Sequence, residues 1–299
     1  MLQDEKILIT GPAGQIAFPM AEFLAQENDV WGIARFSEPD SRERVDALGV
    51  TTRICDLAGG GLQDIPNDFT YLLHLAAYQG SGDDYDYAIQ VNAESAGFLM
   101  EHCRTAKAAL VMSTSTVYRP HEDPFHHYLE TDPVGGGVSP WAPTYAVSKI
   151  AQEAVARQQA RALNLPTVIA RMNASYGPNG GLPAFHLDAI RSGLDIAARW
   201  DPSPYTPIFQ EDINEQLEPL LAAASTPATI VNWGGDEVVT IQEWVPYLAA
   251  LTGREATVVT NDIAGSLRGN ISDPSKRFAL TGPCRVGWKE GFRRIVEER

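Results

Sequence analysis

The chain has 299 residues, 44% of them hydrophobic and 20% charged, values of a globular protein with a sizeable buried core, which argues against disorder. Its 23 basic and 38 acidic residues leave a formal charge of -15, and such a surface repels nucleic acid and anionic membranes, so neither is expected as a partner. The first residues carry no basic segment ahead of an apolar one, and no later run is long enough to span a bilayer, which predicts a soluble, cytoplasmic protein.

The first element is Lys6-Ile7-Leu8-Ile9-Thr10, a short apolar run of the buried-strand kind. Gly11-Pro12-Ala13-Gly14-Gln15-Ile16-Ala17 follows at once, and a helical pattern runs over 14–26. In a strand, glycine turn and helix of this kind, Gly11 and Gly14 let the backbone approach a pyrophosphate, which sits on the amides opening the helix at Gln15 and Ile16. The spacing is G-x-x-G-x-x-A, and an ordinary loop with two glycines is the competing reading.

A second strand is expected at 29–35, where the acidic residue that would bind the 2′-hydroxyl of NAD is replaced by Ala34 and then Arg35. The planar, charged fork of an arginine suits a 2′-phosphate, so NADP is expected, with NAD the other possibility. Arg42 and Arg44 either assist or are solvated helix residues. The third strand, 51–57, ends in Asp56-Leu57, whose carboxylate suits an adenine amino group. The fourth, 71–77, ends in Leu75-Ala76-Ala77, small enough to let a cofactor lie close, and His74 within it reads as a packed strand residue before a base.

A helix over 85–106 carries Asn92, and a fifth strand at 109–113 runs into Ser113-Thr114-Ser115-Thr116-Val117-Tyr118. Hydroxyls there lie at the carboxyl edge of a parallel sheet, where ligands bind; the plain alternative is a Ser/Thr turn. Between this element and the next helix, 119–140 holds His121, His126 and His127 and reads as a solvated lid or substrate loop. No helical His-x-x-x-His is present, and Cys55, Cys103 and Cys284 have no ligand spacing, so no metal is expected.

Pro143-Thr144-Tyr145-Ala146-Val147-Ser148-Lys149 opens a long helix. Residues four apart share a face, so Tyr145 and Lys149 stand side by side, and a nearby ammonium favours the phenolate and lowers the tyrosine pKa. Chance produces the same spacing, a surface Tyr packed on a Lys stem. A sixth strand at 167–171 and the loop 173–178 follow. The aromatic segments 181–186 and 200–205 suit either a substrate wall or plain core packing. Strands alternating with helices call for a doubly wound parallel α/β sheet.

Together these residues resemble the extended short-chain dehydrogenases/reductases, the NAD-dependent epimerase/dehydratase family. The matches are Thr10-Gly11-x-x-Gly14, Asp56-Leu57, His74-Leu75-Ala76-Ala77, Asn92, Ser113-Thr114-x-x-Val117-Tyr118, Tyr145-x-x-x-Lys149 and Arg171 to Pro178, with weaker ones at Asn232-Trp233-Gly234-Gly235, Asp273-Pro274-Ser275-Lys276 and Gly287-Trp288. The resemblance implies a Rossmann domain over 1–172 and a smaller α/β substrate-binding domain over 173–299, with a segment near 206–233 returning to the first sheet. It also implies that Tyr145 exchanges a proton with the substrate, Lys149 holds the nicotinamide ribose, and Thr114 hydrogen-bonds the reacting oxygen. Gly11, Gly14, Gln15, Ile16, Arg35, Asp56, Leu57, Leu75, Ala76, Ala77 and Asn92 would line the cofactor. Ser115, Thr116, Asn173, Ala174, Ser175, Tyr205 and Arg268 would face the substrate.

Within the family the chain departs from two patterns. Dehydratases carry Thr-Asp-Glu where Thr114-Ser115-Thr116 stands, so no acid is present for elimination. Sugar-nucleotide epimerases place a diphosphate-binding arginine where Tyr205 stands and an asparagine where Ala174 stands, with Asn173 one place off. Arg268 matches a second diphosphate arginine, and Arg191 or Arg199 is available to replace the first. The expected activity is therefore NAD(P)-dependent oxidoreduction of a secondary alcohol or carbonyl on a small organic or sugar-like substrate. A sugar-nucleotide epimerase is the alternative, and a non-catalytic dinucleotide sensor is a third reading that the intact Thr114, Tyr145 and Lys149 argue against. A homodimer through the helices after Tyr85 and Tyr145 is expected by fold analogy.

Overall fold

Seven strands form one sheet in the computed structural model, which describes residues 2–299. They are β1 (Lys6–Thr10), β2 (Asp29–Ala34), β3 (Thr51–Ile54), β4 (Tyr71–His74), β5 (Ala108–Thr114), β6 (Thr167–Met172) and β7 (Thr229–Trp233). Their order is β7-β6-β5-β4-β1-β2-β3. β1 pairs in parallel with β2 on one side, Leu8 opposite Trp31, and with β4 on the other, Leu8 opposite Leu72. The chain thus winds outward from β1 in both directions, the doubly wound parallel arrangement that the sequence predicts. β5 and β6 are buried along their whole length, as strands covered on both faces must be.

Helices α1 (Ala17–Ala25), α2 (Ser41–Asp46), α3 (Tyr85–Ile89), α4 (Ser95–His102) and α5 (Tyr145–Leu163) connect these strands. The single helix expected over 85–106 is divided: a π-helical turn at Gln90–Glu94 joins α3 to α4. The turn carries Asn92, whose side chain bonds the Tyr78 backbone and Ser148, so a tertiary requirement overrides the regular helical repeat.

The chain divides into two compact units that interleave along the sequence. The first comprises 1–114, 140–171 and 214–231, and its core gathers Leu8, Ile33, Phe69, Leu72, Leu99, Val111 and Ile169. The second comprises 115–139, 172–213 and 232–299. Around α6 (Leu182–Arg191), α8 (Ile241–Thr252) and the C-terminal helix Trp288–Glu298 it packs Tyr176, Phe209, Trp244 and Phe292. Gly291 has no room for a side chain, because a Cβ there would lie 2.2 Å from the Tyr176 hydroxyl. α8 starts with a capping box between Thr240 and Glu243 and stops at Gly253 in the left-handed region. α7 (Gln210–Ala222) leads toward β7.

The segment 119–140, expected as a solvated lid or substrate loop, is mostly exposed to solvent, and its residues up to Ser139 belong to the second unit, anchored there by the buried Tyr128. His127–Tyr128 pairs in parallel with Ile271–Ser272. Tyr128 stacks on Tyr118 with ring centroids 4.7 Å apart, and the Tyr118 hydroxyl donates to Asn232 at 2.6 Å. Asn232 returns a bond to the Tyr128 carbonyl at 2.7 Å, and its amide N–H donates to Glu130. Alternation of aromatic and polar residues could not reveal this, since the partners lie about a hundred positions away. No helix among the described residues is long and apolar enough to cross a membrane.

Candidate active site

The reversal of strand order falls between β1 and β4, where open α/β sheets bind ligands at the carboxyl ends. Thr10 ties these two ends together. Its Oγ1 accepts the Leu75 and Ala76 N–H groups at 3.0 and 2.9 Å, and its proton is therefore given to His74 Nδ1 at 2.9 Å. Gly11 follows at φ +66°, where glycine is favoured, and a Cβ on it would meet the Ala76 Cα at 3.1 Å. Gly14 N–H closes the turn on the Gly11 carbonyl at 2.9 Å, and α1 starts after Ile16. Gly11, Gly14, Gln15, Ile16, Leu75, Ala76 and Ala77 thus come together at adjoining strand ends, backbone foremost. His74 is buried and neutral: loss of hydration and the Lys149 charge press its pKa down to about 3, which leaves it a packed strand residue.

Three consecutive residues of β5 each hold one residue of α5. The Met112 carbonyl accepts from Lys149 Nζ at 2.6 Å, the Ser113 hydroxyl donates to Glu153 at 2.6 Å, and the Thr114 side chain hydrogen-bonds Tyr145. On α5 these partners are spaced at four-residue intervals, so they form one stripe of the helix. The Lys149 ammonium lies 5.9 Å from the Tyr145 ring centroid. Ser148 fastens the first turn from the side: its hydroxyl donates to the Tyr145 carbonyl at 3.0 Å and accepts from Asn92 at 2.9 Å.

The electrostatics differ from the sequence expectation. Burial pushes the Tyr145 phenol up to about 12, against the opposing hydrogen bond of Thr114. Lys149, 1% exposed, is pushed down to about 7 by burial, with Glu153 pulling it back up. Desolvation acts on both groups and exceeds the attraction between an ammonium and a phenolate, which four-residue spacing alone does not disclose.

The remaining cofactor candidates are scattered in character. Arg35 is exposed just beyond β2 and donates to the Tyr87 hydroxyl at 2.9 Å. Asp56 is exposed and accepts the Ala58 N–H at 3.1 Å, whereas Leu57 is buried. Asn92 uses both N–H bonds and an oxygen lone pair within the protein: the oxygen accepts from Tyr78 N at 2.6 Å, and the nitrogen donates to Tyr78 O and Ser148.

The substrate candidates lie in the second unit. Asn173 donates to the Asn270 carbonyl and the Ser272 hydroxyl, each at 2.9 Å, and its oxygen accepts from Ala174 N and Thr206 N. Ser115 is buried and donates to the Met172 carbonyl, and Ser175 is also buried. Tyr205 is 8% exposed, lies 5.5 Å from the Trp244 ring and meets Arg199 through its hydroxyl at 3.4 Å. Thr116 is half-buried, and Arg268 is exposed with its guanidinium 4.7 Å from the Trp200 centroid. Arg191 donates to the Val296 carbonyl. Among the described residues no group of His, Cys, Asp and Glu gathers as a metal site.

Sequence reasoning missed Ser113, Ser148, Glu153 and Arg171 as parts of this arrangement. Arg171 meets Glu153 through two parallel bonds, Nε to Oε1 at 2.9 Å and a terminal nitrogen to Oε2 at 2.7 Å, with both side chains buried. The signal for Glu153 was its place four residues beyond Lys149; Arg171 stood only at the head of the motif Arg171 to Pro178, and its pairing had no local sign because the partner is on another element.

A doubly wound sheet with a glycine turn after β1 and a Tyr–Lys helix against β5 defines the short-chain dehydrogenase/reductase class. The sequence matches the family described as NAD dependent epimerase/dehydratase over residues 7–193, and the chain belongs to that family. Among solved structures it is similar to the UDP-glucuronic acid 4-epimerase of Bacillus cereus in complex with UDP-glucuronic acid and NAD, at 21% identity, with 98% of each chain covered and a TM-score of 0.85. It is also similar to the UDP-N-acetylglucosamine 4-epimerase of Methanobrevibacter ruminantium, at 19% identity, 99% of this chain and 98% of that one covered, and a TM-score of 0.85. The UDP-glucose 4-epimerase of Thermus thermophilus in complex with NAD gives 24%, 98% of each chain and 0.82. At these identities the likeness is one of fold. No curated protein matches the chain by sequence.

Proposed function

We propose that the chain is a nicotinamide-dependent epimerase acting on a sugar nucleotide, with Thr114, Tyr145 and Lys149 as its reacting centre. The observation that carries the reading is the β5–α5 contact, which brings a hydroxyl, a phenol and an ammonium together beside the carboxyl ends of the sheet. The turn at Gly11 and the small residues Ala76 and Ala77 fit a dinucleotide, since they leave backbone rather than side chains at the strand ends. A dinucleotide held there would supply a hydride acceptor and, once reduced, a hydride donor. Tyr145 would act as the phenolate, taking the proton of the substrate hydroxyl as the carbon is oxidised and giving it back on reduction; because burial holds the phenol up at about 12, that ionisation depends on the positive charge of Lys149 beside it, while Thr114 holds the reacting oxygen. Inversion would require the hydride to return to the opposite face of the carbonyl, and with hydride and proton both returned the two carbon configurations would exchange without net redox change.

The family membership and the UDP-sugar epimerases of like fold support this choice over net oxidoreduction. The test is to incubate the purified chain with NAD and, separately, UDP-glucose, UDP-glucuronic acid and UDP-N-acetylglucosamine, and to separate the epimers by chromatography. A new epimer without accumulation of reduced nicotinamide is expected; a net rise in reduced nicotinamide with a non-nucleotide alcohol, and no epimer, would overturn the reading. Arg35 favours a second one, an NADP-linked oxidoreductase: its guanidinium retains donors beyond the one given to Tyr87. Calorimetry of NAD and NADP separates the two, and Arg35→Ala should weaken only NADP if that phosphate is read there.

A homodimer fits the outer faces of α4 and α5. Glu94 at the end of the π-helical turn and Phe98 and Glu101 on α4 are exposed, while Ala154, Arg157 and Arg161 are exposed on α5, so a second copy can oppose acid to base around an apolar centre. Light scattering should report a dimer, and Phe98→Glu a monomer.

A further inference from the structure

The stripe on α5 does not end at Lys149. One turn further on, Glu153 is buried, and its carboxylate is bound by three donors: the Ser113 hydroxyl and two N–H groups of Arg171. Ser113 stands in β5 between the residue that holds Lys149 and the residue that holds Tyr145, and Arg171 stands in the adjacent strand β6. We propose that the Ser113–Glu153–Arg171 cluster is a positioning device for the neighbouring centre: it fixes the register of α5 on β5 and keeps Lys149 an ammonium ion. The proposal rests on the reading of Tyr145 and Lys149 as reacting groups.

Two physical arguments converge. A helix that could rotate or slide on the sheet would lose Tyr145–Thr114 and Lys149–Met112 together, and a bidentate arginine is the strongest geometric pin available in a core. Register on this stripe is therefore fixed by the contact with the most directional bonds, one turn away from the chemistry. The second argument concerns charge. The groups facing Lys149 are the Met112 carbonyl of β5, the neutral His74 of β4, and Tyr145 and Glu153 of its own helix. Burial works against the ammonium, and Glu153 is the carboxylate that opposes it. Arg171 meets the Glu153 carboxylate through two bonds and so holds it in place one turn from Lys149.

The test variant is Glu153→Gln, which keeps the shape and the hydrogen-bonding reach but removes the charge. In protein labelled with 13C at lysine Cε, the Lys149 signal should titrate lower in the variant by about one pH unit, while circular dichroism and thermal unfolding show a folded chain. With substrate, the alkaline limb of kcat/KM should move by the same amount in the same direction, KM changing little, and Glu153→Asp should recover part of the shift. Ser113→Ala, which removes only one donor from the carboxylate, should fold without difficulty and move the Lys149 titration by a smaller step. Unchanged Lys149 titration in Glu153→Gln, or in Ser113→Ala should the first variant not fold, overturns the proposal. Because the resonance reports on Lys149 without turnover, a shifted titration in a chain with no epimerase activity would keep this inference and remove the proposed function, and an active chain with an unmoved titration would do the reverse.

Discussion

In the first unit, the candidate site is made of charged groups held out of water by directed bonds; in the second, the residues read as a substrate wall are mostly closed into a core. Lys149, Glu153 and Arg171 are buried charged side chains: Lys149 has its partner on β5, Glu153 on β5 and β6, and Arg171 on α5. Tyr205, by contrast, is packed against Trp244, and His186 is bonded to the same indole, which donates to its Nδ1 at 2.9 Å. Burial presses the His186 pKa down to about 4, so it stays neutral. Burial opposes charge in both places; the difference is that in the first unit the charged side chains are met by directed partners, whereas in the second aromatic packing takes the polar groups out of use.

The sharpest break of this contrast is Tyr145→Phe. It removes one hydroxyl from the first site and should lower turnover by about 10²–10⁴-fold, with little loss of stability or cofactor binding. Turnover within a few-fold of the native chain would remove Tyr145 from the mechanism. Arg171→Ala should instead act on folding, since it leaves the Glu153 carboxylate buried without its cation, at a cost of about 3–5 kcal/mol in chemical denaturation. A loss below about 1 kcal/mol would show that the pair contributes little to folding.

The Lys149 charge gives a pH-dependent test. Its pKa in the folded chain, about 7, lies below the unfolded value of 10.5, so between these limits the unfolded chain binds more protons and native stability rises with pH on account of this group. The burial penalty is complete below pH 7 and is relieved toward pH 10. Lys149→Met should accordingly gain most over the native chain near pH 6 and lose that advantage by several kcal/mol at alkaline pH. A gap independent of pH would contradict the depressed value. Smallest of all is Tyr205→Phe in the second unit: removing a hydroxyl whose partner is 3.4 Å away should change stability by less than about 1 kcal/mol. A large loss of substrate affinity in that variant would reopen Tyr205 as part of the substrate wall.

Much of the fold was legible along the chain. Short apolar runs alternating with helical repeats predicted the parallel sheet, and the glycine pair after the first run marked the turn beside β4. Tyr145 and Lys149 were legible because helical spacing is local. Asn92 was legible only as a motif, and its saturation by Tyr78 and Ser148 was not, because both partners lie far away in sequence. The anchoring of the solvated segment 119–140 was hidden for the same reason: its hydrogen bonds go to Asn232 and to Ile271–Ser272.

By itself, then, the sequence determined the strand order's raw material, the glycine turn and the four-residue step between phenol and ammonium, since each depends on residues within one turn or one strand of one another. Only the tertiary structure decided that Lys149 points at the Met112 carbonyl, that Glu153 and Arg171 pin the helix beneath it, that burial outweighs mutual attraction in setting both pKa values, and that Tyr205 is enclosed. Desolvation is the reason: it is imposed on each group by chain brought in from distant elements, and no local spacing contains it.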